Sequence, residues 1–373
     1  MEFLADTLVK IAPLDKSAIA IAEKRLDSLP NLAKNLGRLK NMVMQYIGIT
    51  GKIQPAIPRK NMILACADHG VAELGLSAYP VETTFQMAKN YLISQGAGAN
   101  AMAKFAGADI MVVDMGINHD MSDVPGLIHH KIAWGTKNFT QGPAMRRVEA
   151  VLAIETGIKI VNDQVEHGYR CFSLGEMGIA NTTASACIAA VLAGLSPEEA
   201  TGRGTGISDS RLKIKIEAVR QALAVNKPEP DDAIDILAKV GGFEIGALAG
   251  VILGAAANRC MVVVDGFNAS AAALIANSLH PLVKSYMLAS HLSAEPAHGN
   301  MLDTLGIKPC IDMGLRLGEG SGASLAMNLL DVAIKIYNKV ATQNEDLYEN
   351  GKSLLTIEEG KRARRYNTRD QIT

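Results

Sequence analysis

Short, uniformly apolar segments recur along the chain, and each ends in a turn of polar residues and glycine. Because every residue of such a segment is apolar, rather than every second one, the pattern predicts strands buried on both faces of a parallel sheet. Stretches rich in Ala and Leu lie between them, such as Thr182–Leu195 and Phe243–Ala257, and predict helices. Strand and helix therefore alternate, which predicts a doubly wound α/β fold. The apolar segments are Met62–Cys66, Ile110–Val113, Cys171–Leu174, Met261–Val264 and Tyr286–Ala289.

Both ends of the chain have a different pattern. Apolar residues at helical spacing, such as Leu4 and Leu8, predict helices over residues 1 to about 47. The same spacing returns from about Leu325. The chain then ends in a charged tail, which is either a solvated end or a phosphate-binding segment, and we favour the solvated end. Its basic residues include Lys361, Arg362, Arg364 and Arg365.

The charge balance and the cysteines narrow the class of protein. The 37 basic and 38 acidic residues leave no basic surplus to displace counterions from nucleic-acid phosphates. A hydrophobic fraction of 48% argues against a disordered chain. The five cysteines are scattered without a Cys-x-x-Cys pair, which disfavours a disulfide framework and a zinc site. Without a signal peptide or an apolar run near the roughly 20 residues that span a bilayer, we expect a cytoplasmic protein with no membrane span.

Three glycine clusters are candidate binding segments. Gly175–Thr183 follows a predicted strand and opens a helix, so it is either an anion cradle or a capped tight turn. Gly202–Gly206 precedes a predicted helix that carries Lys215. This segment is either a second phosphate cradle or a surface loop beside solvated lysines. Glu319 lies within Gly318–Gly322 and is either a helix-start charge or a placed general base.

Several familiar motifs are absent from the sequence. It has no dinucleotide fingerprint after the first strand, no P-loop and no G-x-S-x-G nucleophile elbow. His69 and His291 follow predicted strands, but His129–His130 falls in a predicted loop. No metal-ligand spacing connects these histidines, so we expect no metal site. Asp68 and His69 form either a catalytic pair or hydrogen bonds that fasten the turn, and we favour the second interpretation.

Seven further stretches form a recognisable set between about residues 60 and 330. They are ADHGVAELGLSAYP, GEMGIANTT, GRGTG, GGFEIGALAG, VVVDGFNASAAAL, SHLSAEPAH and GLRLGEGSGA. In this order and at these separations they resemble the nicotinate-nucleotide–dimethylbenzimidazole phosphoribosyltransferase family. One glycine motif would be weak evidence, but seven in register are specific.

The resemblance implies an architecture. We expect a Rossmann-like parallel sheet flanked by helices, together with a small helical domain built from both chain ends. The implied limits are 1–50 for the N-terminal helices, 51–325 for the catalytic domain, and 326–373 for the C-terminal helix with the tail. The resemblance also implies a homodimer.

The resemblance also implies a reaction. A nitrogen of 5,6-dimethylbenzimidazole attacks C1′ of nicotinate mononucleotide, and nicotinate leaves with inversion at C1′. The products are nicotinate and α-ribazole 5′-phosphate, which is used to assemble the nucleotide loop of cobalamin. Because the leaving pyridinium already carries a positive charge, we expect neither a metal nor an external cofactor.

The same resemblance assigns roles to residues. Glu319 matches the general base that removes the other ring proton of the acceptor. Glu176 matches a position near the reacting carbon, where it stabilises positive charge or serves as a second carboxylate. The residues implied for the 5′-phosphate and ribose are Gly178, Gly204, Lys215 and Ser293. Those implied for the acceptor pocket are Ser77, Tyr79, Gln86, Met177 and Leu317.

Alternatives stay open at this point. Some relatives activate phenol or p-cresol and act as a pair of homologous subunits, and Glu319 would serve that reaction equally well. Many relatives have glycine at the position of Ala180, and the alanine would narrow the approach to the Gly175–Thr183 segment. A non-catalytic partner subunit is disfavoured because Glu176, Lys215 and Glu319 are all present. A nicotinamide-dependent dehydrogenase is disfavoured because the dinucleotide fingerprint is missing.

Overall fold

A computed structural model of the chain describes residues 2–28 and 35–339, and the basic tail predicted after about residue 342 lies outside them. Its main feature is a parallel sheet in which Arg59–Ala67 and Tyr169–Met177 are buried over most of their length, as expected for strands covered on both faces. The strands of this sheet are β1 (Arg59–Ala67), β2 (Ala108–Gly116), β3 (Ile128–His129), β4 (Tyr169–Met177), β5 (Met261–Val264) and β6 (Met287–Ala289). The short strands β7 (His291–Leu292) and β8 (Ile311–Asp312) pair separately, also in parallel.

The helices that connect the strands vary in length. In chain order they are α1 (Glu2–Val9), α2 (Lys16–Asp27), α3 (Arg38–Thr50), α4 (Thr83–Lys89), α5 (Gly98–Ala106), α6 (Arg147–Glu166), α7 (Asn181–Leu192), α8 (Pro197–Ala200), α9 (Asp209–Asn226), α10 (Ala233–Val240), α11 (Phe243–Ala257), α12 (Phe267–Leu279), α13 (His298–Leu305) and α14 (Ser321–Lys339). Short 3₁₀ helices cover Gly70–Leu74 and Pro281–Tyr286, and a π-helical turn covers Asn90–Ser94.

The order of the strands locates the place where such a sheet binds ligands. The order is β3-β2-β1-β4-β5-β6, and all neighbouring pairs are parallel. Strand order therefore reverses between β1 and β4. In doubly wound sheets a crevice opens at this reversal, beyond the carboxyl ends of the strands. Here the two strands end at Ala67 and Met177.

The predicted sheet and helices are confirmed in type, with the three two-residue strands β3, β7 and β8 missed. All five predicted apolar segments overlap strands, and the predicted helix Phe243–Ala257 has the observed bounds of α11. The expectation that His129–His130 falls in a loop was wrong for His129. This residue belongs to β3, a two-residue strand that pairs with Val113 and Asp114 at the edge of the sheet. So short a strand has no apolar run that sequence could show.

The chain divides into two compact units. Among the described residues, one contains the chain up to Leu14 together with Ile57–Leu330, and the other contains those of Asp15–Ala56 together with Asp331–Lys339. In the first unit, the N-terminal helix α1 contacts α6 and α11. In the second unit, α2 packs against α3. The domain limits implied by the resemblance, 1–50, 51–325 and 326–373, stay a prediction.

Within the described ranges, 2–28 and 35–339, no helix is long and apolar enough to cross a membrane.

Candidate active site

A cavity of about 650 Å³ opens beyond the carboxyl ends of β4 and β5, within the first unit. Its walls come from separate segments: the turn after β4 with the start of α7, the Gly202–Gly206 loop, the turn after β5, and residues 291–295 and 314–319. Part of the segment before α4 completes the mouth. The glycine clusters therefore meet around one space, as expected for the turns that follow parallel strands.

Nine of the eleven residues that the resemblance assigns to the site line this cavity, and two do not. Gln86 is exposed on α4 and is not part of the lining. Lys215 is 1% exposed and lies behind the wall, next to Gly204. The predicted residues that line the cavity are Ser77, Tyr79, Glu176, Met177, Gly178, Gly204, Ser293, Leu317 and Glu319.

One end of the cavity has the features of an anion cradle. The Lys215 ammonium donates hydrogen bonds to Thr182 Oγ1 at 2.7 Å and to the Gly202 carbonyl at 3.2 Å. A Cβ atom added to Gly204, whose φ is +51°, would lie 3.2 Å from Lys215 Nζ. The buried ammonium thus lies directly beneath the glycine loop, at the N-terminal end of α7, where the helix dipole favours negative charge.

The charge of Lys215 is affected by its surroundings. Burial lowers the pKa of Lys215 to about 8, and the nearby Glu295 carboxylate opposes this shift. Glu295 Oε1 also accepts a hydrogen bond from the Gly204 backbone N–H at 2.8 Å. At pH 7 the lysine is therefore mostly protonated and supplies a point charge for an anion.

A hydrogen-bonded chain of side chains fixes Glu176 at the wall. Ser185 Oγ donates to Asn268 Oδ1 at 2.7 Å, and Asn268 Nδ2 donates to Asn181 Oδ1 at 3.0 Å. The Asn181 amide is thereby oriented with its Nδ2 toward Glu176, to which it donates. Glu176 itself is 7% exposed, and burial raises its pKa to about 8 against the effect of Asn181.

The loop that carries Glu319 has an uncommon backbone. Gly318, Glu319 and Gly320 have φ angles of +75°, +59° and +74°, so three consecutive residues are left-handed. Glycine adopts this region freely, whereas glutamate does so at a cost of about 1–2 kcal/mol. A Cβ atom on Gly318 would lie 2.7 Å from Glu176 Oε1, so the loop passes directly beside the other glutamate.

Glu319 also lies in a partly apolar environment. Burial raises the pKa of Glu319, and the neighbouring Tyr91 hydroxyl opposes that rise. Tyr91 is 2% exposed and lies in the π-helical turn Asn90–Ser94. Turns of this kind inside helices are frequent at functional sites. A carboxyl with a raised pKa on a cavity wall has the property expected of a general base that works near neutral pH.

The mouth of the cavity is apolar with a few polar atoms. Tyr79, Met177 and Leu317 present large apolar groups there. Ser77 Oγ lies 3.2 Å from Thr205 Oγ1, and this threonine also accepts the Ala78 backbone N–H at 2.9 Å. An apolar lining with a few placed polar groups is typical of small-molecule pockets.

The pair Asp68–His69 fastens the turn after β1 instead of lining the cavity. Asp68 Oδ2 accepts the Asn118 backbone N–H at 2.7 Å. His69 Nε2 lies 2.7 Å from Glu244 Oε1, and both side chains are fully buried. The structural interpretation of this pair is therefore favoured over the catalytic one.

Several cavity residues were not identified from the sequence. Asp265, Asn181, Asn268 and Glu295 all line the space. The sequence did contain a signal for Asp265, because this polar residue directly follows the apolar run of β5. Glu176 likewise lies close to the end of β4. No group of three His, Cys, Asp or Glu side chains among the described residues is arranged to hold a metal ion.

Comparisons with known proteins identify the family of the chain. A protein-family model described as "Phosphoribosyltransferase" matches residues 11–346. The chain is 48% identical over 345 residues to the nicotinate-nucleotide–dimethylbenzimidazole phosphoribosyltransferase of Geotalea uraniireducens, covering 92% of this chain and 98% of the relative. It is 49% identical over 342 residues to the protein of the same name from Desulforudis audaxviator, covering 92% and 97%.

A solved structure gives the same result. The crystal structure of a protein of that name from Thermus thermophilus matches with a TM-score of 0.84 and 38% sequence identity. The match covers 89% of this chain and 98% of that one. The likeness therefore extends over nearly the whole of both chains.

Proposed function

Because the chain belongs to the nicotinate-nucleotide–dimethylbenzimidazole phosphoribosyltransferase family, we infer that it transfers the phosphoribosyl group of nicotinate mononucleotide to 5,6-dimethylbenzimidazole. It is a glycosyltransferase that releases nicotinate and forms α-ribazole 5′-phosphate for cobalamin assembly. The observation that carries the residue assignments is the cavity itself. Two partly or fully buried glutamates, Glu176 and Glu319, line it together with the glycine loop above Lys215.

The cradle binds the 5′-phosphate in this proposal. Gly178, Gly204 and Ser293 line the cavity, and the Lys215 ammonium lies under the loop, so its positive charge and the N-terminal end of α7 favour the anion. A phosphate held in the cradle fixes the distance between C1′ of the ribose and the opposite wall of the cavity. Fixing two reactants in this way is worth effective molarities of up to about 10⁵–10⁸ M.

Glu176 acts on the sugar. As the bond between C1′ and the pyridinium nitrogen breaks, its electron pair leaves with nicotinate and positive charge develops on the ribose. A carboxylate beside that carbon stabilises this charge more in the transition state than in the ground state. Asn181 holds the carboxylate in place.

Glu319 acts on the acceptor. One benzimidazole nitrogen forms the new bond to C1′ on the face opposite the leaving group, which inverts the configuration. The other ring nitrogen then loses its proton to the Glu319 carboxylate. A well-placed base contributes about 10²–10⁴-fold to such a reaction.

The acceptor lies at the apolar mouth in this proposal. Ser77, Tyr79, Met177 and Leu317 surround the space there. Gln86 is kept as a predicted pocket residue, although its side chain is exposed on α4. We also keep two expectations as proposals: that the chain forms a homodimer and that it acts in the cytoplasm.

Nicotinate release tests the proposal. The purified chain is incubated with nicotinate mononucleotide and, in parallel, with dimethylbenzimidazole, adenine, phenol or p-cresol. We expect release with dimethylbenzimidazole and a loss of at least about 100-fold in the Glu319→Gln variant. Glu166→Gln is the matched control, because Glu166 is an exposed residue at the end of α6 outside the cavity lining.

Two results would contradict the proposal in different ways. Release with phenols alone would show that the acceptor is wrong. Wild-type turnover in Glu319→Gln would show that another group takes the proton.

A further inference from the structure

The backbone around Glu319 needs an external restraint. Gly318, Glu319 and Gly320 are all left-handed, and the middle residue is not glycine. An isolated chain would relax from this conformation, because left-handed glutamate is disfavoured and the flanking glycines add freedom. Strained backbone of this kind persists only where the surrounding structure fixes it.

Asp265, at the end of a strand distant in sequence, supplies that restraint. It follows β5 directly and is 2% exposed. Its Oδ1 accepts the backbone N–H of Ala323, in the first turn of α14, at 2.9 Å. The backbone N–H groups of Gly320 and Gly322 face the same carboxylate. One side chain therefore accepts a hydrogen bond from the start of α14 and is faced by two more backbone N–H groups between Glu319 and Ala323.

The N–H groups at the start of α14 explain why the restraining side chain is a carboxylate. The first N–H groups of a helix have no partner within the helix, and the helix dipole adds positive potential there. A carboxylate accepts hydrogen bonds at both oxygens, whereas an asparagine amide would direct its own donors at backbone donors. Asp265 thus matches the helix start in both charge and acceptor number.

Close packing leaves the Gly318–Gly322 loop little room to move. A Cβ atom on Gly320 would lie 2.9 Å from Met62 Cε, and Gly320 also passes close to Gly175 of β4. A Cβ atom on Gly322 would lie 2.0 Å from His291 Nδ1. Packing against the sheet therefore limits the loop on one side, and Asp265 restrains it through hydrogen bonds.

We propose that Asp265 is the positioning residue for the general base: through the backbone of residues 320–323 it holds the Glu319 carboxylate at the acceptor. The proposal rests on the proposed function, since it requires Glu319 to take the acceptor proton. Asp265 itself transfers no proton in this scheme. Its loss should therefore impair proton removal while the phosphate cradle stays intact.

Two acceptors separate positioning of the base from general damage to the site. Dimethylbenzimidazole must lose a ring proton when it is glycosylated. Its N-methylated form, 1,5,6-trimethylbenzimidazole, has no such proton, so its glycosylation gives a cationic product and needs no base. We compare wild type, Asp265→Asn and Glu319→Gln with both acceptors. Asp303→Asn is the matched control, because Asp303 is exposed on α13 and does not line the cavity.

We expect a selective loss. With dimethylbenzimidazole, Asp265→Asn should lower kcat about 10–100-fold while KM for nicotinate mononucleotide stays within about twofold, because the cradle is untouched. With the N-methylated acceptor the loss should be less than about threefold for both Asp265→Asn and Glu319→Gln. Equal losses with the two acceptors would overturn the proposal.

A double-variant cycle gives a second measurement that needs only dimethylbenzimidazole. If Asp265 acts through Glu319, the Asp265→Asn/Glu319→Gln variant should be no slower than Glu319→Gln alone. A double variant that shows the product of the two separate losses would overturn the proposal. A circular dichroism spectrum shows whether Asp265→Asn folds. If it does not fold, Asp265→Glu replaces it in the same cycle. Wild-type turnover in Glu319→Gln would instead refute the proposed base, which distinguishes the two failures.

Discussion

Replacing Glu176 with glutamine should change how the stability of the ligand-free protein depends on pH. Burial raises the pKa of Glu176 from its usual 4.5 to about 8. Between these two pH values the folded chain keeps a proton that the unfolded chain has already released. The contribution to stability is therefore complete below about pH 4.5 and is lost as the pH rises through about 8. Glutamine has the same shape and no charge, so it does not share this loss.

The size of the effect follows from the shift. Each pKa unit is worth about 1.4 kcal/mol, so the difference in unfolding free energy between Glu176→Gln and wild type should grow by about 4 kcal/mol from pH 5 to pH 8.5. At pH 5 the two proteins should be nearly equal, since the neutral carboxyl and the amide can both accept the hydrogen bond from Asn181.

Urea unfolding at both pH values measures this difference. Glu166→Gln is again the control, because Glu166 is exposed at the end of α6 and does not line the cavity. A Glu176→Gln difference that grows by less than about 1 kcal/mol would refute the reasoning, because it would mean that Glu176 is already charged in the empty site.

Two further predictions concern turnover. Lys215→Ala should raise KM for nicotinate mononucleotide about 10–100-fold with a much smaller change in kcat, because the lost charge meets a phosphate remote from the bond that breaks. Steady-state kinetics check this prediction, and an unchanged KM would show that Lys215 does not belong to the phosphate site. Tyr91→Phe should move the acidic limb of the pH profile of kcat/KM to higher pH, because the Tyr91 hydroxyl opposes the rise in the pKa of Glu319; an unmoved limb would show that the hydroxyl does not act on the base.

Local sequence was sufficient for the elements that depend on local pattern. The apolar runs predicted the buried strands β1, β4 and β5, because a strand covered on both faces has no polar side to disguise it. The turns that follow the runs of β4 and β5 line the cavity, because the carboxyl ends of parallel strands meet at one edge. The strand order could not be read, since it depends on which strands pair across long stretches of chain.

Several contacts that hold the site together join distant segments of the chain, and the sequence did not reveal them. Asp265 and Ala323 meet only after β5 and α14 are placed side by side. Lys215 has the pattern of a solvated helical lysine, yet it is buried because Thr182 and Gly202 provide oxygen acceptors from other segments. The glycines around Glu319 hint at a turn, but they do not predict that the glutamate itself is left-handed.

The raised pKa of Glu176 also predicts that substrate binding releases a proton. At pH 7 a group with a pKa of about 8 is mostly protonated, whereas the cationic pyridinium ring of nicotinate mononucleotide favours the charged carboxylate. Lys215, with a pKa of about 8, is already mostly protonated at this pH and takes up little more when the phosphate arrives. Binding should therefore release up to about one proton.

Calorimetry in buffers of different ionisation enthalpy measures that number directly, because the observed heat changes in proportion to the protons exchanged. Glu176→Gln should release fewer protons than wild type by most of this amount, even if the variant binds with similar affinity. The substrate phosphate and Lys215 are present in both proteins, and the difference reports Glu176 together with Asp265, whose pKa burial raises to about 7 and whose charge acts on Glu176. Equal release by the two proteins would mean that the carboxyl is charged before the cation arrives, and Glu176 would then meet its substrate as a preformed anion.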